Sequence, residues 1–234
     1  VKQEEVEISA RLKGVYQVMR QLQAQHNLLE TRCIGAGNCC EIGLRVSLME
    51  CWNIAQSFKD QFWLTAESAG IQAAKDYMAD LILDLKTYLK EDYAKWDPNE
   101  EETPGHKCVF YNTDYGCGIY EVRPMVCRAY GVIAPVHDRC PRPRLKSGEI
   151  QIFGEEFSES VLNEFDKLIE LWGATKPELD YSIHIAVGVL RFLLEEDEFS
   201  KFVGEIDSKF FLAFPGYKHQ MRIRNETPVS IERK

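Results

Sequence analysis

Seven of the eight cysteines fall into two groups. One is Cys33, Cys39 and Cys40; the other is Cys108, Cys117, Cys127 and Cys140, with residues 41–107 between them. Thiolates gathered this way serve either a metal centre or a set of disulfides. Either use requires two segments far apart in the chain to close on one another. Disulfides are dense mainly in small secreted domains that cannot build a core. This chain has 234 residues, 45% of them apolar, with 12 Phe and 4 Trp, which is enough to bury a core without staples. The opening Val1-Lys-Gln-Glu-Glu-Val6 shows no apolar run behind a basic start, so no signal peptide is expected. No stretch reaches the roughly 18 apolar residues of a membrane span. The expectation is a cytoplasmic, reducing setting in which the cysteines bind metal or do redox work.

Charge adds a second constraint. The net charge of −9 argues against a nucleic-acid partner. The segment 103–146 runs the other way, with seven basic residues against three acidic ones. Basic residues beside thiolates lower their pKa and offset the negative charge of a thiolate-ligated metal. A solvated basic loop is the bland alternative.

Periodicity predicts a mainly α fold: a single helical domain over 1–234 whose cysteine-rich irregular loop is clasped by a metal centre. Leu12, Val15, Tyr16, Met19, Leu22 and Leu29 mark an amphipathic helix over 5–30. It packs on its own domain by default, or on a partner. A cysteine-cluster region over 31–146 follows, with a helical insert at 47–96. There Ser47-Leu-Met-Glu50 reads as a capping box opening a helix to about Lys59, and a longer helix is expected from Thr65 to Trp96. Residues 107–143 hold many breakers and no sustained helical period, apart from one turn at Ile119 to Arg123. A short strand is expected at Glu149 to Phe153. C-terminal helices are expected within 150–211: Phe157 to Trp172, then one capped by Thr175 running to Glu195, then Asp197 to Phe211. The tail 215–234 reads as irregular. Cys51 and His184 read as buried core groups rather than ligands. His106 and His137, close to Cys108 and Cys140, are candidate ligands or donors to a sulfur.

The stretch Cys108-Val-Phe-Tyr-Asn-Thr-Asp-Tyr-Gly-Cys117-Gly-Ile-Tyr-Glu-Val-Arg-Pro-Met-Val-Cys127-Arg128 carries a recognisable pattern, preceded by Cys33-x5-Cys39-Cys40. It resembles the YkgJ-type cysteine cluster family, whose members are described as chelating zinc or iron. In that family Cys-x2-Cys-x2-Cys-Cys is followed by Cys-x-Ile-Tyr-x-x-Arg-Pro and then Cys-Arg. The second half matches through Cys117, Ile119, Tyr120, Arg123, Pro124, Cys127 and Arg128. The first half departs, with Ala36 where a second cysteine would stand. Flagellin lysine methylases carry a similar cluster, so the resemblance also implies an enzyme that uses the metal centre, with methyl transfer to a protein lysine as the candidate reaction.

The metal is either an iron–sulfur cluster, [4Fe–4S] for preference, or zinc. No Cys-x2-Cys pair of the usual structural zinc site is present, and the common ferredoxin spacing is absent too. The candidate ligands are Cys33, Cys39, Cys40, Cys108, Cys117, Cys127 and Cys140, with Arg123 and Arg128 holding the loop around the cofactor. Three functions follow: a metal-binding protein with a redox or structural role, an enzyme built on the metal, and an interaction module built on the first helix. The sequence names neither a protein partner nor an oligomeric state.

Overall fold

The computed structural model describes residues 3–25, 45–91, 108–112, 114–129, 155–175 and 182–212. In chain order these form α1 (Gln3–Gln25), β1 (Arg45–Ser47), α2 (Leu48–Ala69), α3 (Ile71–Glu91), β2 (Tyr111–Asn112) and β3 (Gly116–Cys117). A 3-10 turn (Tyr120–Val122) leads into α4 (Met125–Ala129), followed by α5 (Glu155–Thr175), β4 (Ser182–His184), α6 (Ile185–Leu193) and α7 (Glu196–Leu212). The fold is mainly α, as the periodicity predicts.

Two short strands start the two central helices. β1 and β4 pair antiparallel, Val46 opposite Ile183, and each strand runs straight into a helix. Both junctions are capped by a side chain, because the first N–H groups of a helix have no partner within it. The Ser47 hydroxyl accepts from the Glu50 N–H at 3.3 Å, and the Glu50 carboxylate accepts from the Ser47 N–H at 3.4 Å, which completes the expected capping box. At the other junction, Nδ1 of His184 accepts from the Ala186 N–H at 3.3 Å. The buried His184 ring also stacks on Tyr88, with centroids 5.9 Å apart. This histidine is a structural cap within the core.

α2 serves two cores with two faces. Leu48, Cys51, Ile54 and Ala55 pack with Leu85 and Leu89 of α3 and Val189 and Leu190 of α6. Met49 and Trp52 point into a second cluster with Ile8, Leu12, Tyr16 and Met19 of α1 and Leu168 and Trp172 of α5. Trp52 and Trp172 meet at 5.6 Å between ring centroids. Phe192 packs against both clusters. The apolar face of α1, spaced by three and four residues, is therefore covered by α5 within the chain. Each large apolar side chain so buried stabilises by about 1.5–3 kcal/mol.

The α2–α6 crossing depends on a residue without a side chain. A Cβ built on Gly188 would lie 2.3 Å from Sγ of Cys51 and 2.8 Å from Cγ2 of Ile183. Gly188→Ala forces these helices apart and should destabilise by about 1–3 kcal/mol, the usual penalty of overpacking. Urea denaturation checks this, and Cys51→Ala in the same chain should recover only part of the loss, since the Cys51 Cβ itself stands 2.9 Å away. An unchanged denaturation midpoint in Gly188→Ala would contradict the close crossing.

Several boundaries differ from expectation. The helix opened by Ser47 runs ten residues past Lys59, to Ala69, and stops at Gly70, whose φ of +93° suits only glycine. α3 accordingly starts at Ile71 rather than Thr65. Thr175 does not cap a helix: it lies in the last turn of α5, where its hydroxyl donates to the Leu171 carbonyl at 2.7 Å. The helix expected from Thr175 to Glu195 is replaced at its C-terminal end by β4 and the shorter α6, because residues 182–184 pair with β1. The cysteine-rich segment holds a hairpin and the short α4 as well as the expected turn. The strand expected at 149–153, the helix residues 26–30 and 92–96, and the tail 215–234 lie outside the described residues. Among the described residues no helix is long and apolar enough to cross a membrane.

Candidate metal centre

Cys108, Cys117 and Cys127 sit on three consecutive local structures. Cys108 precedes the β2–β3 hairpin, where Tyr111 N–H donates to the Cys108 carbonyl at 2.8 Å. The Asn112 side-chain oxygen accepts from Asp114 N–H at 2.7 Å and Tyr115 N–H at 3.4 Å, an Asx turn that drives the reversal. Gly116, at φ +81°, completes it and places Cys117 opposite Tyr111. The hairpin is anchored by Phe110, which is buried against the first core and meets Phe58 at 5.9 Å. Cys127 lies in α4, whose first turn closes with Arg128 N–H donating to the Pro124 carbonyl at 3.1 Å.

These three thiols share one electrostatic environment. Burial pushes the Cys127 thiol well up from its ordinary value, and the Cys108 and Cys117 thiols push it further; Arg123 acts in the opposite direction. A cation at this point reverses the balance, because a metal-bound thiol is deprotonated outright. Among the described residues no group of three His, Cys, Asp or Glu side chains is set to hold a metal ion. Cys127 thus has two further thiols in its electrostatic surroundings, and no complete ligand set stands among the described residues. Cys33, Cys39, Cys40 and Cys140, with His106 and His137, lie outside the described residues.

Cys51 has a different setting. It is fully buried on α2 against Gly188, its S–H directed at the Ile185 carbonyl at 3.9 Å, and burial raises its pKa. It behaves as a small apolar core residue.

The two arginines expected around the cofactor are both buried, unusual for this residue type. The Arg128 guanidinium lies over the Tyr16 ring at 4.0 Å, while its Nε donates to the Arg123 carbonyl at 2.9 Å and a terminal nitrogen donates to the Glu121 carbonyl. Burial first, and the neighbouring Arg123 second, push its pKa down to about 10. Arg123 stacks over Tyr120 at 4.1 Å, and its buried Nε has no hydrogen-bond partner among the described residues. A buried donor left unmade costs about 1–3 kcal/mol, so such an atom calls for an acceptor. Two neighbouring buried cations beside three thiols fit an anionic group, which thiolates around a metal supply.

One carboxylate holds the region in place. Glu50 is fully desolvated, and its two oxygens accept from the Tyr16 hydroxyl at 3.1 Å, the Met125 N–H at 2.6 Å, the Ser47 hydroxyl at 3.1 Å and the Ser47 N–H. It joins α1, the start of α2 and the start of α4, two residues before Cys127. Burial raises its pKa despite those four hydrogen bonds, each of which lowers it. From sequence Glu50 reads only as the third residue of a capping box. Its links to Tyr16 and Met125 cross 34 and 75 residues and leave no local signal.

Residues 32–141 match the model of the CxxCxxCC family, "Putative zinc- or iron-chelating domain". The cysteine-cluster segment, just under half of the chain, is similar to that domain. The chain as a whole matches no curated protein and no solved structure. The CxxCxxCC match takes in all seven clustered cysteines and the α2–α3 hairpin between them. It leaves α1, α5, β4, α6 and α7 outside, although α1 supplies Tyr16 to the site and α5 packs behind α1. The segment departs from that family's namesake spacing at Ala36, so its first cysteine group has three members.

Proposed function

We propose that this chain binds a thiolate-ligated metal centre, an iron–sulfur cluster in preference to zinc, in which Cys108, Cys117 and Cys127 are ligands. The first cysteine group and Cys140 complete the set from the adjoining segments. The observation that carries the reading is the presence of Cys108 and Cys117 in the electrostatic surroundings of Cys127, beside a buried Arg123 guanidinium whose Nε has no partner among the described residues. Arg123 and Arg128 are charge partners of the centre in this reading. An iron–sulfur cluster adds inorganic sulfides, which accept hydrogen bonds that tune its potential, and the Arg123 Nε is a donor of the right kind. A zinc site closed by four thiolates presents no such additional acceptor.

In this reading the metal clasps the segment 33–40 to the hairpin and α4, closing the α2–α3 insert between them. The thiolate chemistry calls for a reducing compartment. Its role is electron transfer or redox sensing if the centre is iron–sulfur, and structural if it is zinc.

Anaerobically purified protein should show broad visible absorption, with iron and acid-labile sulfide in equal amounts. Zinc without sulfide would overturn the iron–sulfur assignment and leave the thiolate site standing. Neither metal would overturn both.

A further inference from the structure

A cleft of about 450 Å3 opens beside Cys117, which forms part of its wall. Phe58 and Tyr77 line it from the α2–α3 hairpin, and Tyr115, Tyr120 and Glu121 from the cysteine segment. Its volume falls within the range of small-molecule sites. We infer that this cleft binds a small organic cation of the ammonium class, seated on the aromatic rings with Glu121 at its edge.

The lining selects charge. Four aromatic side chains have faces that carry negative quadrupole, and these attract cations. The one charged side chain of the lining is the Glu121 carboxylate, and among the described residues no basic side chain lines the cleft. Arg123 lies over Tyr120 at 4.1 Å, so one face of that ring already holds a cation, and Phe58, Tyr77 and Tyr115 are the rings offered to a ligand. Glu121 accepts from Arg20 at 3.0 Å, but both side chains are more than half exposed. That pair contributes little, so a ligand can replace it. Tyr77 is half-buried in the lining, and burial raises its pKa. Tyr115, 62% exposed, stands as an unpacked aromatic at the mouth, where a ring has no core to fill. Anionic ligands meet no compensating charge in this lining. The inference goes beyond the metal assignment and does not depend on which metal is bound.

The test uses the full chain with its metal and two probes of one shape, choline and its uncharged carbon analogue 3,3-dimethylbutan-1-ol. Binding is followed by saturation-transfer NMR and calorimetry against a sodium chloride control. Choline should saturate, and the neutral analogue should bind roughly tenfold more weakly or not at all, the range a desolvated cation–π site gives. Tyr115→Ala removes one ring without touching either core, and should weaken choline by about fivefold. Glu121→Gln should weaken it as well, and metal content should stay unchanged in both variants. Equal affinity for the two probes, no saturable choline signal, or full affinity in Tyr115→Ala would overturn the cation site. Metal content measured on the same samples keeps such a failure separate from any failure of the metal assignment.

Discussion

Glu50→Ala should destabilise the fold by about 3–5 kcal/mol, the penalty for stripping a buried charged acceptor from its donors. Three elements lose their common acceptor at once: the Tyr16 hydroxyl on α1, the Ser47 hydroxyl and N–H at the start of α2, and the Met125 N–H at the start of α4. Glu50→Gln is a finer probe. Each oxygen of Glu50 accepts from two donors, so a carboxamide can satisfy one side while its NH2 faces donors on the other. Its cost should be smaller than that of alanine but still measurable. The pH dependence gives a separate signature. Burial raises the folded pKa of Glu50, so its contribution is fully present below the unfolded carboxyl value of about 4.3 and declines as pH rises through the folded one. Glu50→Gln should remove that decline. Urea denaturation across pH reads both effects, and a Glu50→Ala chain as stable as the parent would show that the four hydrogen bonds are incidental.

Removing the metal should lower the melting temperature by about 10 °C or more. The binding free energy of a site that does not exist in the unfolded chain adds to folding. For a chain of this size each kcal/mol lost moves the midpoint by about 2–4 °C. The loss should be uneven. The β2–β3 hairpin and α4 are short and carry the proposed ligands Cys117 and Cys127, with Cys108 just before them, whereas α2, α3 and α6 are held by an apolar core of their own. Amide exchange should therefore accelerate at 108–129 well before it does at 48–56 and 185–193. Unchanged melting and unchanged exchange on chelation would contradict a clasp.

Much of this arrangement was legible in the amino-acid order, and the exceptions share a cause. The capping box at Ser47 and the three-and-four spacing of α1 are local patterns, and both stand in the structure. Gly70 carries no unambiguous stop signal in the sequence, since glycine is also tolerated inside a helix, and only its positive φ decides. β4 is three residues long, too short for an alternating pattern, and it exists because β1 pairs with it. Thr175 mimics a helix start by composition, yet it is the last residue of α5.

The site divides along the same line. Cys108, Cys117 and Cys127 could be named from spacing and motif, and they meet in one electrostatic environment. The motif also pointed to Arg123 and Arg128. It could not show that Arg128 lies on Tyr16 of α1, because that contact spans more than a hundred residues. Nor could it show that Glu50 ties the same helix to α4. The cleft beside Cys117 was invisible for the same reason, since its aromatic walls come from α2, α3 and the cysteine segment.

The most direct test of the thiol assignment is the metal content of three single variants purified side by side. Cys51→Ala should retain full metal and lose only packing energy, of order 1 kcal/mol for a small buried group. Cys117→Ala and Cys127→Ala should lose most or all of it, because each removes a proposed thiolate ligand. Full metal in Cys127→Ala, together with loss in Cys51→Ala, would contradict the account at its centre.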